Sequence, residues 1–177
     1  MTPREAAVRG RAAAPGRARG RRARGSAIAA LAVTTLLAGC GGVPADPDGT
    51  LRRVEGGELR VGITHNPPWT DTTDPAAPAG RDVGLVQRFA RSLDADIDWT
   101  VGSEAVLADA LRAGDLDIAV GGFTDDTPWS DKAALTVAFG EERTDGAVKK
   151  HVLLAALGEN ALLSAMDAFL IEHGDEK

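Results

Sequence analysis

"ALRAGDLDIAVGGFTDDTP", residues 110–128, carries the end of a helix, a strand and a polar loop. Leu107, Ala110 and Leu111 fall on one face of a helix that Ser103 can cap, and Gly114 suits the left-handed residue that ends such a helix. "LDIAVGGF" (116–123) then reads as a buried strand, with Asp115 and Asp117 at its start. The loop 122–131 follows, with glycines, threonines, aspartates and an aromatic. Helix, buried strand and polar loop in that order mark an α/β unit, and ligands on such sheets sit beyond the carboxyl ends of the strands.

The same alternation extends to both sides. "ELRVGI" (58–63) places Leu59, Val61 and Ile63 at period two, and "ADIDWTV" (95–101) does so with Ile97, Trp99 and Val101, the spacing of strands. Trp99 is expected in the core. Between them, four prolines keep residues 64–80 irregular. Asp82 can cap a helix whose Val83, Val86, Phe89, Ala90 and Leu93 share a face. Downstream, "ALTVAF" (134–139) and "KKHVLLAAL" (149–157) read as strands. "ENALLSAMDAFLIEH" (159–173) reads as a helix with Leu162, Leu163, Met166, Phe169 and Leu170 inward. The pattern β-α-β-α-β, two further strands and a helix predicts parallel strands with right-handed crossovers. Loops 64–80 and 122–131 then face one site.

Residues 1–25 contain eight arginines and one glutamate, and residues 26–37, "SAIAALAVTTLL", are uncharged. A basic stretch, a short apolar run and small residues form a secretory signal. The apolar run is shorter than the roughly 20 residues of a membrane-spanning helix. "LAGC" (37–40) resembles the lipobox of bacterial lipoproteins, which implies a lipid on Cys40, the sole cysteine. Without residues 1–39, 12 basic and 25 acidic residues remain, a balance near −13. Such a charge disfavours nucleic acid as a partner. Membrane attachment would rest on the lipid, with the chain on the outer face of the cell membrane. Residues 40–57, rich in Gly, Pro and Asp, read as a flexible tether, and residues 58–177 as a single domain with one core.

"ELRVGITHNPPW", "AGRDVGLVQRFARSLDADIDW", "ALRAGDLDIAVGGFTDDTP" and "HVLLAALGENALLSAMDAFL" together resemble the extracellular solute-binding proteins of family 3. These are the amino-acid-binding subunits of ABC importers, with a type II periplasmic-binding fold. The resemblance covers nearly all of 58–177. It implies an α/β fold built as a periplasmic-binding-protein-like lobe, with a mostly parallel sheet and flanking helices. It also implies a small polar solute, an ABC permease as partner, and no enzymatic activity.

Two departures from the family stand out. The chain passes from "ALTVAF" through "GEERTDGAVK" into what resembles the returning segment, so the second lobe is missing. In amino-acid binders the loop after the third strand resembles Thr-x-Thr-x-x-Arg, whose arginine clamps the solute carboxylate with two hydrogen bonds. Here the matching position holds Trp129 or Ser130, and the nearest cation, Lys132, lacks the planar fork.

The expected ligand contacts are Asn66, Trp69, Gly122, Thr124, Thr127 and Trp129. Gly121 and Gly122 admit close backbone approach, and the two tryptophans can form an aromatic wall. The plainer alternative is that Trp129 packs on the domain and Asp125 and Asp126 form a solvated turn. No cofactor and no metal are expected, because His65, His151 and His173 lack ligand spacing. Ser130-Asp131 has no base nearby for a triad, and "GGFTDD" is not a phosphate loop. Besides solute transport, the lobe can serve as a sensor or protein-interaction module, and a homodimer would rebuild a two-walled cleft.

Overall fold

A computed structural model describes residues 46–144 and 146–174 of the 177-residue chain. The expected signal segment, Cys40 and the first part of the expected tether lie outside them. The elements are α1 (Thr50–Val54), β1 (Glu58–Ile63), α2 (Arg81–Ser92), β2 (Asp96–Val101), α3 (Glu104–Ala113), β3 (Ile118–Val120), β4 (Ala134–Leu135), β5 (Gly140–Thr144), β6 (Ala147–His151), β7 (Leu154–Ala155) and α4 (Asn160–His173).

Five strands form one sheet in the order β2-β1-β3-β7-β4. β1 pairs in parallel with β2 and β3, whereas β7 runs antiparallel to both β3 and β4. Four of the five strands therefore share one direction. The chain leaves β1 toward β2 on one side and returns across β1 to β3 on the other. The order of strands thus switches between β1 and β3, and sheets of this kind place their ligand sites beyond the strand carboxyl ends at such a switch.

The continuous apolar runs have a simple cause. Ile118 and Val120 face one core cluster with α1, α2 and α4, while Ala119 faces a second cluster with Leu107 and Leu111 of α3. Leu153 and Ala155 go to the first cluster, Leu154 and Ala156 to the second. A strand covered on both faces shows no polar alternation. Gly62 lets α3 come close, since a Cβ there would lie 2.7 Å from Leu116 and 2.9 Å from Leu107. Trp99, on edge strand β2, is half-buried against the first cluster.

Several expectations are revised. Residues 50–54, read as tether, form α1, and Val54 is fully buried in the first cluster. The folded unit thus starts upstream of residue 58. Strand 116–123 shrinks to Ile118–Val120, because Gly121 and Gly122 turn the backbone away with positive φ. Residues 140–144 and 147–151, read as connection and strand start, pair antiparallel as β5 and β6. Ser103 stands at the N-cap of α3 in extended conformation but makes no side-chain cap bond, whereas Gly114 ends α3 with φ of +78° as expected.

Asp117 is 1% exposed. It accepts a hydrogen bond from the Arg60 main-chain N–H (2.9 Å) and from the Arg60 and Arg53 guanidinium groups. A buried carboxylate needs such pairing. It sits before β3, at the strand end away from the carboxyl edge, and fastens α1 and β1 together there.

Candidate functional site

The two loops expected to share a site meet beyond the carboxyl ends of β1 and β3. Thr64 N–H donates to Val120 O at 3.2 Å. Asn66 then folds back over a short turn, with Trp69 N–H donating to its carbonyl, and its Nδ2 donates to Gly121 O at 2.7 Å. Gly122 has φ of +70°. A Cβ at Gly122 would fall 2.6 Å from Trp69 Cδ1 and 2.7 Å from Asn66 Nδ2. Glycine is therefore required twice, for the left-handed backbone and for the approach of the indole.

Behind this contact lie groups that the sequence did not single out. Trp69 is half-buried, and its ring centroid lies 3.8 Å from that of His151, which is fully buried at the end of β6. Phe139 borders the same imidazole at 6.3 Å. The Arg81 guanidinium lies over the Trp69 ring, 5.3 Å from its centroid. Asp82, also fully buried, turns inward, and its Oδ2 accepts the Gly122 N–H at 2.9 Å. The helix-cap reading of Asp82 is thereby corrected. Gly80 occupies the cap position without any side-chain cap bond, and Asp82 instead ties α2 to the loop after β3.

Burial raises the Asp82 carboxyl above its ordinary value; the Gly122 N–H, nearby His151 and Arg81 act in the opposite direction. Its Oδ1 has no hydrogen-bond partner among the described residues. A carboxyl raised in the folded state contributes stability that is full below its unfolded value and lost as pH rises through its folded value. Asparagine does not titrate. The stability of wild type minus that of Asp82→Asn is therefore expected to increase as pH falls from about 7 toward the ordinary carboxyl value of 3.8. Urea unfolding of both proteins across that range checks this, and a pH-independent difference would contradict it.

The remaining expected contacts divide. Thr124 bridges to His151, and its hydroxyl donates to Asp126 Oδ1. Asp126 pairs with Lys149 at 3.0 Å, while Asp125 N–H donates to Lys150 O at 2.9 Å and its carboxylate accepts from Lys150 N–H. The two aspartates form an exposed turn, as the plainer reading expects, and also fasten the loop to the hairpin. Thr127 N–H donates to Thr124 O at 2.9 Å. Its hydroxyl is buried without a hydrogen-bond partner among the described residues. Trp129 packs with the α3 cluster, donates its indole N–H to Glu104 Oε2 at 3.0 Å and carries Lys132 over its ring at 5.3 Å. The two tryptophans make no ring contact with each other among the described residues: Asn66, Trp69 and Gly122 meet directly, Thr124 joins them through His151, and Trp129 sits against α3. His65 is exposed beside Asp71, and His173 stacks on Phe169 at 4.4 Å. Among the described residues no group of three or more His, Cys, Asp or Glu could hold a metal ion.

No protein-family model matches the chain, and no curated protein matches it. Solved structures do. The arginine-bound form of domain 1 of TmArgBP is similar with a TM-score of 0.60 at 20% identity, over 68% of this chain and 97% of that one. A point mutant of the same domain gives 0.62 at 19%, over 69% and 96%. A Salmonella typhimurium periplasmic binding protein with high arginine specificity gives 0.58 at 10%, over 66% and 93%. The fold is that of a lobe of an amino-acid-binding protein. It is an α/β lobe with a mostly parallel sheet and flanking helices, as the sequence suggested.

Proposed function

We propose that this chain is a solute-binding lobe working outside the cytoplasm, which holds an amino acid or similar small polar solute at the carboxyl edge of β1 and β3. The observation that carries the reading is the meeting of Asn66 and Trp69 with Gly121 and Gly122 at the strand switch. It provides an aromatic surface beside an exposed side-chain amide, the pairing of apolar wall and polar group that a small-molecule site needs. That domain 1 of TmArgBP has an arginine-bound form supports a single lobe of this fold as sufficient to hold a solute. A single lobe leaves one face of the solute in water and removes less apolar area from it, at about 25 cal/mol per Å². Binding is accordingly weak unless a partner closes the other side.

A thermal-shift screen of the amino acids tests the reading. A solute at about 100 times its Kd adds about 2.7 kcal/mol of stability. A melt unmoved by every amino acid at millimolar concentration counts against it.

The same proposal places a lipid on Cys40, the chain on the outer face of the cell membrane, and an ABC permease downstream of the solute. Its support is "LAGC" after the uncharged run 26–37. Two or more acyl chains hold a protein stably, each buried CH₂ contributing about 0.8 kcal/mol. Cys40→Ser is expected to leave the membrane fraction or to remain unprocessed. A processed Cys40→Ser protein that fractionates with membranes would contradict the anchor.

A further inference from the structure

We infer that Arg81 supplies the carboxylate-binding fork of this site, so that the solute is a carboxylate such as a free α-amino acid. The inference rests on the solute-binding reading above and adds to it the group recognised and the residue that recognises it.

The loop after β3 offers no arginine between Thr124 and Asp131. Lys132 is already committed, to Asp109 at 2.9 Å and to the Trp129 ring, beside α3. Arg81 differs from both. It is exposed, and it forms no ion pair with any carboxylate among the described residues. Its sequence neighbour Asp82 is turned inward to Gly122. The guanidinium is held over Trp69, the indole that also borders Gly122 and His151. An anion bound by this fork would therefore lie beside the contact of Trp69 with Gly122. Gly140 flanks the fork on the hairpin side, where a Cβ would come within 3.4 Å of Arg81 Nη2.

The position of Arg81 is locally unfavourable. It is the first residue of α2, where the helix dipole disfavours a cation. The first amides of α2 are themselves used, Asp82 N–H by Trp69 O and Arg81 N–H by Pro68 O, so an anion there would depend on the side chain. Guanidinium binds carboxylate with two parallel hydrogen bonds, which an ammonium cannot reproduce. A fork held at an aromatic face is partly pre-ordered, so less freedom is lost on binding.

The test is titration calorimetry on the purified full chain, with L-arginine, L-glutamine and L-histidine, each beside its primary carboxamide. Wild type is expected to bind at least one acid about tenfold or more tighter than its carboxamide. Arg81→Met, which keeps an unbranched apolar stem over Trp69, should weaken the acid by about tenfold to a hundredfold and erase the preference. Arg81→Lys should recover part of it. The comparison of acid with carboxamide on wild type reads the same property without any substitution. Equal binding of acid and carboxamide, or acid binding unchanged in Arg81→Met, overturns the inference and leaves the solute-binding reading standing. Absence of binding to every acid by wild type overturns both.

Discussion

Gly122→Val is expected to destabilise the lobe by about 3 kcal/mol and to move Trp69 out of place. The backbone at Gly122 has φ of +70°, where a side chain costs about 1–2 kcal/mol. The new Cβ would sit 2.6 Å from Trp69 and 2.7 Å from Asn66, and overpacking of that kind costs about 1–3 kcal/mol. Relieving the clash also pulls the Gly122 N–H away from Asp82. Gly146 is the control. It has φ of +82°, but a Cβ there meets nothing within 4 Å among the described residues, so Gly146→Val should show the backbone term alone. Urea unfolding followed by indole fluorescence separates the two, and equal effects would mean that the contact at Gly122 carries no weight.

Trp69→Ala should reduce solute binding by about thirtyfold or more, the scale of a truncated aromatic anchor at roughly 2 kcal/mol. The indole is the aromatic surface at the strand switch and also the cover over His151. Trp129→Ala should act differently. Its indole N–H is bonded to Glu104 and its ring packs with the α3 cluster, so the loss should appear in stability and leave binding within about threefold. Calorimetry and unfolding on both variants decide the matter. Loss of binding in Trp129→Ala with binding retained in Trp69→Ala would put the solute on the α3 side.

What was legible in the sequence follows from the range of the interactions. β1 was readable residue by residue, because Leu59, Val61 and Ile63 alternate along a strand and the prolines of its loop end it. α1 was not, since "TLRRV" is too short for a helical period to show, and what holds it is tertiary: the burial of Thr50 and Val54 and the bond of Arg53 to Asp117. The hairpin was missed for a related reason. "GEERT" and "AVKKH" carry almost no apolar pattern, as expected of a ribbon that is mostly exposed. The site loops were legible from their prolines and glycines. Asp82 was not, because an acidic residue at a helix start reads as a cap, and only its bond to Gly122, forty residues later, shows otherwise. Arg81 likewise enters the site through its contact with Trp69, and His151 through Trp69 and Thr124.

The central claim is that one lobe holds a small polar solute where the loops after β1 and β3 meet. Amide NMR of the chain titrated with L-arginine tests it most directly. The account predicts shifts concentrated at Asn66, Trp69 and its indole N–H, and Gly121 to Thr124. Shifts centred on Asp117, Arg53 and Arg60 at the opposite strand ends, or an unchanged spectrum at saturating L-arginine and every other amino acid, would contradict it.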